Sequence, residues 1–314
     1  MTSREPMTRL TISETIRQIQ HSNGGFPYQV GAEARSDSTA WAVMALSNSA
    51  ISESICEQGR AYLLEQQDTM GRVCISRSHP EASWPTPLAI LAWHSSINYQ
   101  NPENLSSQFL LTLTGMHFPK SDPPITGHDP SIIGWPWITD THGWVIPTGM
   151  AILALQVAGL GAHTRVKEGQ AMILDRQLPH GGWNYGNTSV FGKELHPLPE
   201  CTGIALQALA NDIDLQYVER SLDYLLKKLP ALRTPISLGW ALLGLGAWGL
   251  RPSHSEELIL TSLELQERYG PYPVPALALL LCAANTTGGL RSFVERSPSP
   301  TASLPQRESF ASHV

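Results

Sequence analysis

The chain has 314 residues, a formal net charge of −6 and four cysteines (Cys56, Cys74, Cys201, Cys282) with no CxxC pair among them. That length can bury a substantial core, the charge offers no basic footprint for nucleic acid, and scattered thiols exclude a disulfide scaffold or zinc ribbon. No apolar leader follows the N-terminal MTSREPMTRL, so the expected location is a reducing cytoplasm.

Taken in order, residues 9–22 place Leu10, Ile12, Ile16 and Ile19 at helical spacing with charges between them, a half-exposed helix stopped by Asn23-Gly24-Gly25. Beyond a loop, SDSTAWAVMALSNSA (36–50) is almost uncharged. It reads as an inner helix wrapped on all sides, with Ser36 or Asp37 as its N-cap. This alternation continues along the chain. Amphipathic outer helices are expected at about 53–67, 103–115, 164–178, 214–229 and 254–267, and apolar inner ones at about 86–97, 147–160, 201–211, 235–249 and 273–285. The stretches 144–162 and 234–250 are apolar enough to suggest membrane spans, but Pro and Gly interrupt both, and buried helices are the better reading. From Arg291 onward the Ser/Pro-rich sequence reads as a disordered tail after a single domain spanning 1–290.

One punctuation mark recurs between outer and inner helices. Gln177, Gly181 and Trp183 stand four and two residues apart, and the same spacing returns at Gln20-Gly24-Phe26, Gln67-Gly71-Val73 and Gln266-Gly270-Tyr272. Internal repeats of helical hairpins build arrays. The last inner helix, VPALALLLCAA, has no polar face to cap an open solenoid. The expected fold is therefore all-α, an (α/α)6 toroid with an apolar inner ring and an amphipathic outer ring.

These turns resemble the QW repeats of squalene-hopene and oxidosqualene cyclases, with Gln177 to Trp183 the best match. The layout is similar to the toroid of protein prenyltransferase β subunits. The resemblance covers residues 9–290 and implies a protein that binds an isoprenoid or other hydrophobic small molecule in an axial cavity, with acid-initiated cyclisation or isoprenoid transfer as its chemistry. No cofactor or metal is implied. Peripheral membrane contact and a partner subunit that supplies missing residues are both compatible with it.

The site residues transfer unevenly. Trp135 to Ala151 (WPWITDTHGWVIPTGMA) is similar to the oxidosqualene cyclase segment HGWxxSDCTA, but Thr148 stands at its catalytic aspartate. A threonine hydroxyl cannot protonate an alkene. Arg35 to Ala40 (RSDSTA) is similar to the hopene cyclase DxDDTA pattern with only its central acid kept, so Asp37 is the candidate proton donor, or else simply a helix cap. Glu200 is the candidate second carboxylate. Trp84, Trp135, Trp137, Trp144, Tyr185 and Cys201 are candidate substrate-binding residues near inner-helix starts, although aromatic rings there could equally plug the wedges between hairpins. The prenyltransferase zinc pattern Asp-x-Cys with a later His is not reproduced. His196, Glu200 and Cys201 could only improvise such a site. A non-catalytic lipid-binding or protein-interaction toroid is the competing expectation.

Overall fold

The computed structural model describes residues 9–47, 52–120, 122 and 127–295. Six helices form an outer layer: α1 (Arg9–Arg17), α3 (Glu53–Glu65), α5 (Gln100–Thr112), α7 (Thr164–Asp175), α9 (Glu219–Lys228) and α11 (Ser255–Glu264). Six more lie inside it: α2 (Ser36–Leu46), α4 (Pro85–His94), α6 (Val145–Val157), α8 (Pro199–Leu209), α10 (Pro235–Ala247) and α13 (Val274–Asn285). A single turn, α12 (Gln266–Tyr269), precedes α13, and a short α14 (Leu290–Glu295) follows it. The only strands among the described residues form two small antiparallel hairpins, β1 (Phe26–Pro27) with β2 (Ala34–Arg35) and β3 (Ser189–Val190) with β4 (Lys193–Glu194).

Burial follows the sequence pattern. Every residue of α6 except Ile146 is buried, whereas α9 buries only Ser221, Leu222 and Leu225. An apolar cylinder needs neighbours on every side, while an amphipathic one needs a single neighbour. Inner helices accordingly pack α2 on α4, α4 on α6, α6 on α8, α8 on α10, α10 on α13 and α13 back on α2. The ring closes, and the amide of Val274 donates to the carbonyl of Tyr28 across the seam (3.0 Å). The stretches at 144–162 and 234–250 supply α6 and α10, and no helix among the described residues is long and apolar enough to cross a membrane.

The recurrent turns stitch successive hairpins together. The side-chain amide of Gln20 donates to the Ile55 carbonyl (2.9 Å), that of Gln67 to the Pro102 carbonyl (2.8 Å) and that of Gln177 to the Tyr217 carbonyl (3.0 Å). Each glutamine at the end of one outer helix thus donates to a carbonyl near the start of the next and ties the two helices together. Gly24, Gly71 and Gly181 have φ of +84°, +94° and +92°, and a Cβ on any of them would lie within 2.6 Å of the next outer helix's backbone. Both the dihedral and the close approach demand glycine. The third hairpin has no such glutamine. Instead Arg165 of α7 reaches back to the carbonyls of Leu113, Ile133 and Gly134 (3.2, 3.3 and 2.9 Å) and lays its guanidinium 3.6 Å over the Trp135 ring. Burial pulls this guanidinium down to about 10.

The C-terminal boundary needs correction. Residues 291–295, assigned from composition to the tail, continue a helix that turns back under the ring. α14 packs on α4, α6, α10 and α13 and buries Leu290, Phe293 and Val294. Three apolar side chains spaced along six residues outweigh the polar character around them, and the helix closes the end of the ring where the inner helices finish. Residues 296–314, the rest of the proposed tail, lie outside the described residues.

Candidate functional site at the open mouth of the ring

Four threonines set the rotation of the inner helices. The backbone amides of Phe26, Val73, Trp135 and Trp183 donate to the hydroxyls of Thr39, Thr86, Thr148 and Thr202 at 2.8, 3.0, 2.9 and 3.0 Å. In these four hairpins a residue of the segment before the inner helix is therefore latched to one face of that helix. That face points at the outer layer, as the contact that a Cβ on Gly59 of α3 would make with Thr39 and Val43 also shows. Residues two before and two after each threonine are turned by about 200° and face the axis.

This rotation puts Asp37, Trp84, Ile146 and Glu200 at the axial rim, joined by Ile236 and Pro275 at the matching positions of α10 and α13. One turn deeper come Trp41, Leu88, Met150, Ile204, Trp240 and Leu279, all buried. Trp41 and Trp240 belong to inner helices that are not neighbours, yet their rings meet edge to face at 5.6 Å. They meet across the face of α13, the one inner helix between them. Below this layer Gln207 accepts from the Leu290 amide at 2.6 Å, fixing α14 as the base. The rim, with this buried apolar layer beneath it, is termed the bowl.

Asp37 and Glu200 lie at the same depth on helices three places apart in a ring of six, so they face each other across the bowl. Asp37 is 4% exposed and held by both arms of Arg35, Nε to Oδ1 and Nη2 to Oδ2, each at 2.9 Å. Both carboxylate oxygens are thus engaged by one guanidinium fork. The expectation that Asp37 caps α2 is set aside: Arg35 occupies the N-cap position, and no side chain bonds the first turn there. Glu200 is half-buried and accepts from the Ser237 hydroxyl at 2.7 Å.

The other predicted residues divide. Trp84 and Trp137 are both half-buried and pack edge to face at 5.7 Å beside the bowl. Tyr185 is 51% exposed, and its carbonyl holds the Val145 amide at 2.9 Å. Trp135 does not line the bowl. It is 1% exposed, sandwiched between Arg165 and the α7 backbone at Gly169, with its indole N–H on the Leu110 carbonyl (2.9 Å). Cys201 is fully buried, one position round the helix from the axial Glu200. Burial, with Glu200 beside it, raises its thiol far above the usual range. Trp144 also turns away from the axis, into a side cleft at the end of α7. Thr148, at the position of the missing cyclase acid, is a fully buried latch facing outward. Among the described residues no group of three or more His, Cys, Asp or Glu side chains is arranged to hold a metal ion.

Trp41, Trp240, Arg35 and Ser237 were not singled out from the sequence. Only Trp41 had a legible signal, since counting two residues on from Thr39 reaches it; α10 carries no such threonine to place Ser237 and Trp240, and Arg35 precedes its helix.

No protein-family model and no curated protein matches the chain. Solved structures do match its fold. An α-1,6-mannanase of Salegentibacter, in an inactive variant bound to α-1,6-mannotriose, aligns with a TM-score of 0.60 at 12% identity, covering 88% of this chain and 97% of the other. An α-amylase from Clostridium perfringens aligns at 0.59 and 12% identity over 90% and 98%. A type II terpene cyclase from Scytonema in its apo form aligns at 0.55 and 14% identity over 84% and 79%. In a substrate complex of that cyclase the chain spans 62% of the partner's length. At such identities the likeness establishes the fold, which carries unrelated chemistries. The chain has the (α/α)6 toroid fold, shared by type II terpene cyclases and by glycosidases.

Proposed function

We propose that this toroid binds an apolar small molecule, of the isoprenoid class or similar in shape and polarity, in the bowl at the open mouth, and that Asp37 does not initiate cyclisation there. The observation that carries the reading is the six-residue apolar floor beneath a rim with only two carboxylates, one of them clamped by Arg35. Apolar walls with few polar groups are what hydrophobic ligands require. A ligand in the bowl would rest on the edge-to-face pair of Trp41 and Trp240. Contact with a membrane surface or a partner subunit would be a means of delivering such a ligand.

A second reading has its own support. Two opposed carboxylates with the Trp84–Trp137 pair between them form a set of groups that also suits a sugar, since carbohydrate hydrolysis uses paired carboxylates flanking the scissile bond.

Both readings are tested together. Quenching of intrinsic tryptophan fluorescence is titrated with farnesol, geranylgeraniol, squalene, mannotriose and maltotriose, and each mixture is incubated and analysed for products. The expected result is saturable binding of the isoprenoids with no product, weakened at least tenfold by Trp240→Ala. A cyclised product that is lost in Asp37→Asn would overturn the non-catalytic reading. Saturation by an oligosaccharide alone would replace the ligand class.

A further inference from the structure

Outside the bowl, a cleft of about 350 Å³ opens where Met116, Phe118 and residues 128–132 meet the C-terminal end of α7. It is independent of the ligand reading above. Its lining combines the apolar Met116, Phe118, Ile132 and Trp144 with His142 and Arg176. A volume of this size suits a small organic molecule.

Arg176 makes the cleft more than a surface dent. It is 8% exposed, and one guanidinium nitrogen donates to the Gly186 carbonyl at 2.9 Å. Its Nε is buried without a hydrogen bond, the nearest carboxylate oxygen being that of Asp175, 3.4 Å away. A buried guanidinium that keeps unbonded N–H groups is costly unless something accepts from them. Asp175 is not free to move closer, because the same oxygen accepts from the Asp129 amide at 3.0 Å. Asp129 in turn is occupied by Ser131 and Lys120. Burial and the nearby Arg176 push His128 down to about 4, so at neutral pH it adds no second positive charge. His142 stacks obliquely on Phe118 at 5.5 Å and is exposed at the rim.

We infer that this cleft is a binding site for a small carboxylic acid with an apolar body, its carboxylate on Arg176 and its body between Phe118 and Trp144. The planar fork of arginine matches a carboxylate in two-point geometry. Arg176 is buried while Met116 and Phe118 are exposed, so the acid enters head first.

Isothermal titration of the full chain with 4-phenylbutyrate, 4-phenylbutan-1-ol and inorganic phosphate tests it. The carboxylate is expected to bind at least tenfold tighter than the alcohol, and phosphate more weakly than either. Arg176→Gln should abolish the preference for the carboxylate. Because Arg176 also holds Gly186, Phe118→Asp serves as a second variant at a partly exposed position; it places a negative charge on the wall and should weaken the carboxylate at least tenfold. Saturating farnesol should not compete. Equal affinity for acid and alcohol, full retention of binding in Phe118→Asp, phosphate binding as tightly as phenylbutyrate, or displacement by farnesol would each overturn the assignment.

Discussion

Thr148 offers the sharpest test of how this toroid relates to cyclase chemistry. Aligned by sequence, Thr148→Asp restores the acid that HGWxxSDCTA carries. Placed in the fold, it does not. Thr148 is fully buried, accepts from the Trp135 amide at 2.9 Å and lies on the side of α6 away from the axis. A carboxylate there must shed its water beside Trp135 and Met172, with one backbone donor in return. Leaving a buried charge so poorly compensated costs several kcal/mol, about 3–5 by analogy with broken buried ion pairs. Thr148→Val removes the acceptor and strands the buried Trp135 amide, which costs about 1–3 kcal/mol. Urea denaturation followed by circular dichroism reads both as a lower midpoint at unchanged slope, and incubation of Thr148→Asp with squalene or oxidosqualene is expected to give no cyclic product. A cyclised product from that variant, or a Thr148→Val loss below about 0.5 kcal/mol, the scale of inert surface changes, would refute the assignment of Thr148 as an outward-facing latch.

Other outcomes follow from the same geometry. Gly181→Ala meets both a φ of +92° and the Arg220 backbone at 2.6 Å, whereas Gly270→Ala meets only a φ of +88° with open space around it. With ψ of 171° Gly270 lies in a region essentially reserved for glycine, so the second should cost about 1–3 kcal/mol and the first clearly more, measured by the same urea titrations. Phe293→Ala strips the largest apolar group from α14 and should destabilise by about 3–5 kcal/mol; a negligible loss would mean α14 does not close the base. His128 titrates near 6.5 when unfolded and is held to about 4 in the fold. The folded state then binds fewer protons between those values, so stability is full above pH 6.5 and declines as pH falls toward 4. His128→Gln should flatten that part of the stability–pH curve, and an unchanged slope would count against the burial of the ring.

Periodicity and the recurrent Gln–Gly turns made the helical inventory legible, and the closed ring with it. They record local demands: an inner helix must be apolar all round, and a turn that runs within 2.6 Å of the next helix must be glycine. The short helix after Gly289 was not legible, because six residues with charges at both ends carry too little period to stand out. Asp37, Glu200 and Trp84 were placed at the mouth because helix starts gather there. Trp135 and Trp144 were placed there for the same reason and turned elsewhere, since the mouth has both an inward and an outward side.

By itself, then, the order of amino acids determined the alternation of buried and half-buried helices, their number and the turns between them, all of which depend on neighbours close in sequence. Which aromatic faces the axis, which carboxylate meets Arg35 and which tryptophans join across the ring were decided by the rotation of each inner helix. That rotation is set by hydrogen bonds such as Trp183 to Thr202, 19 residues apart, and by packing against helices from other repeats. Contacts of that range arise only when the ring closes.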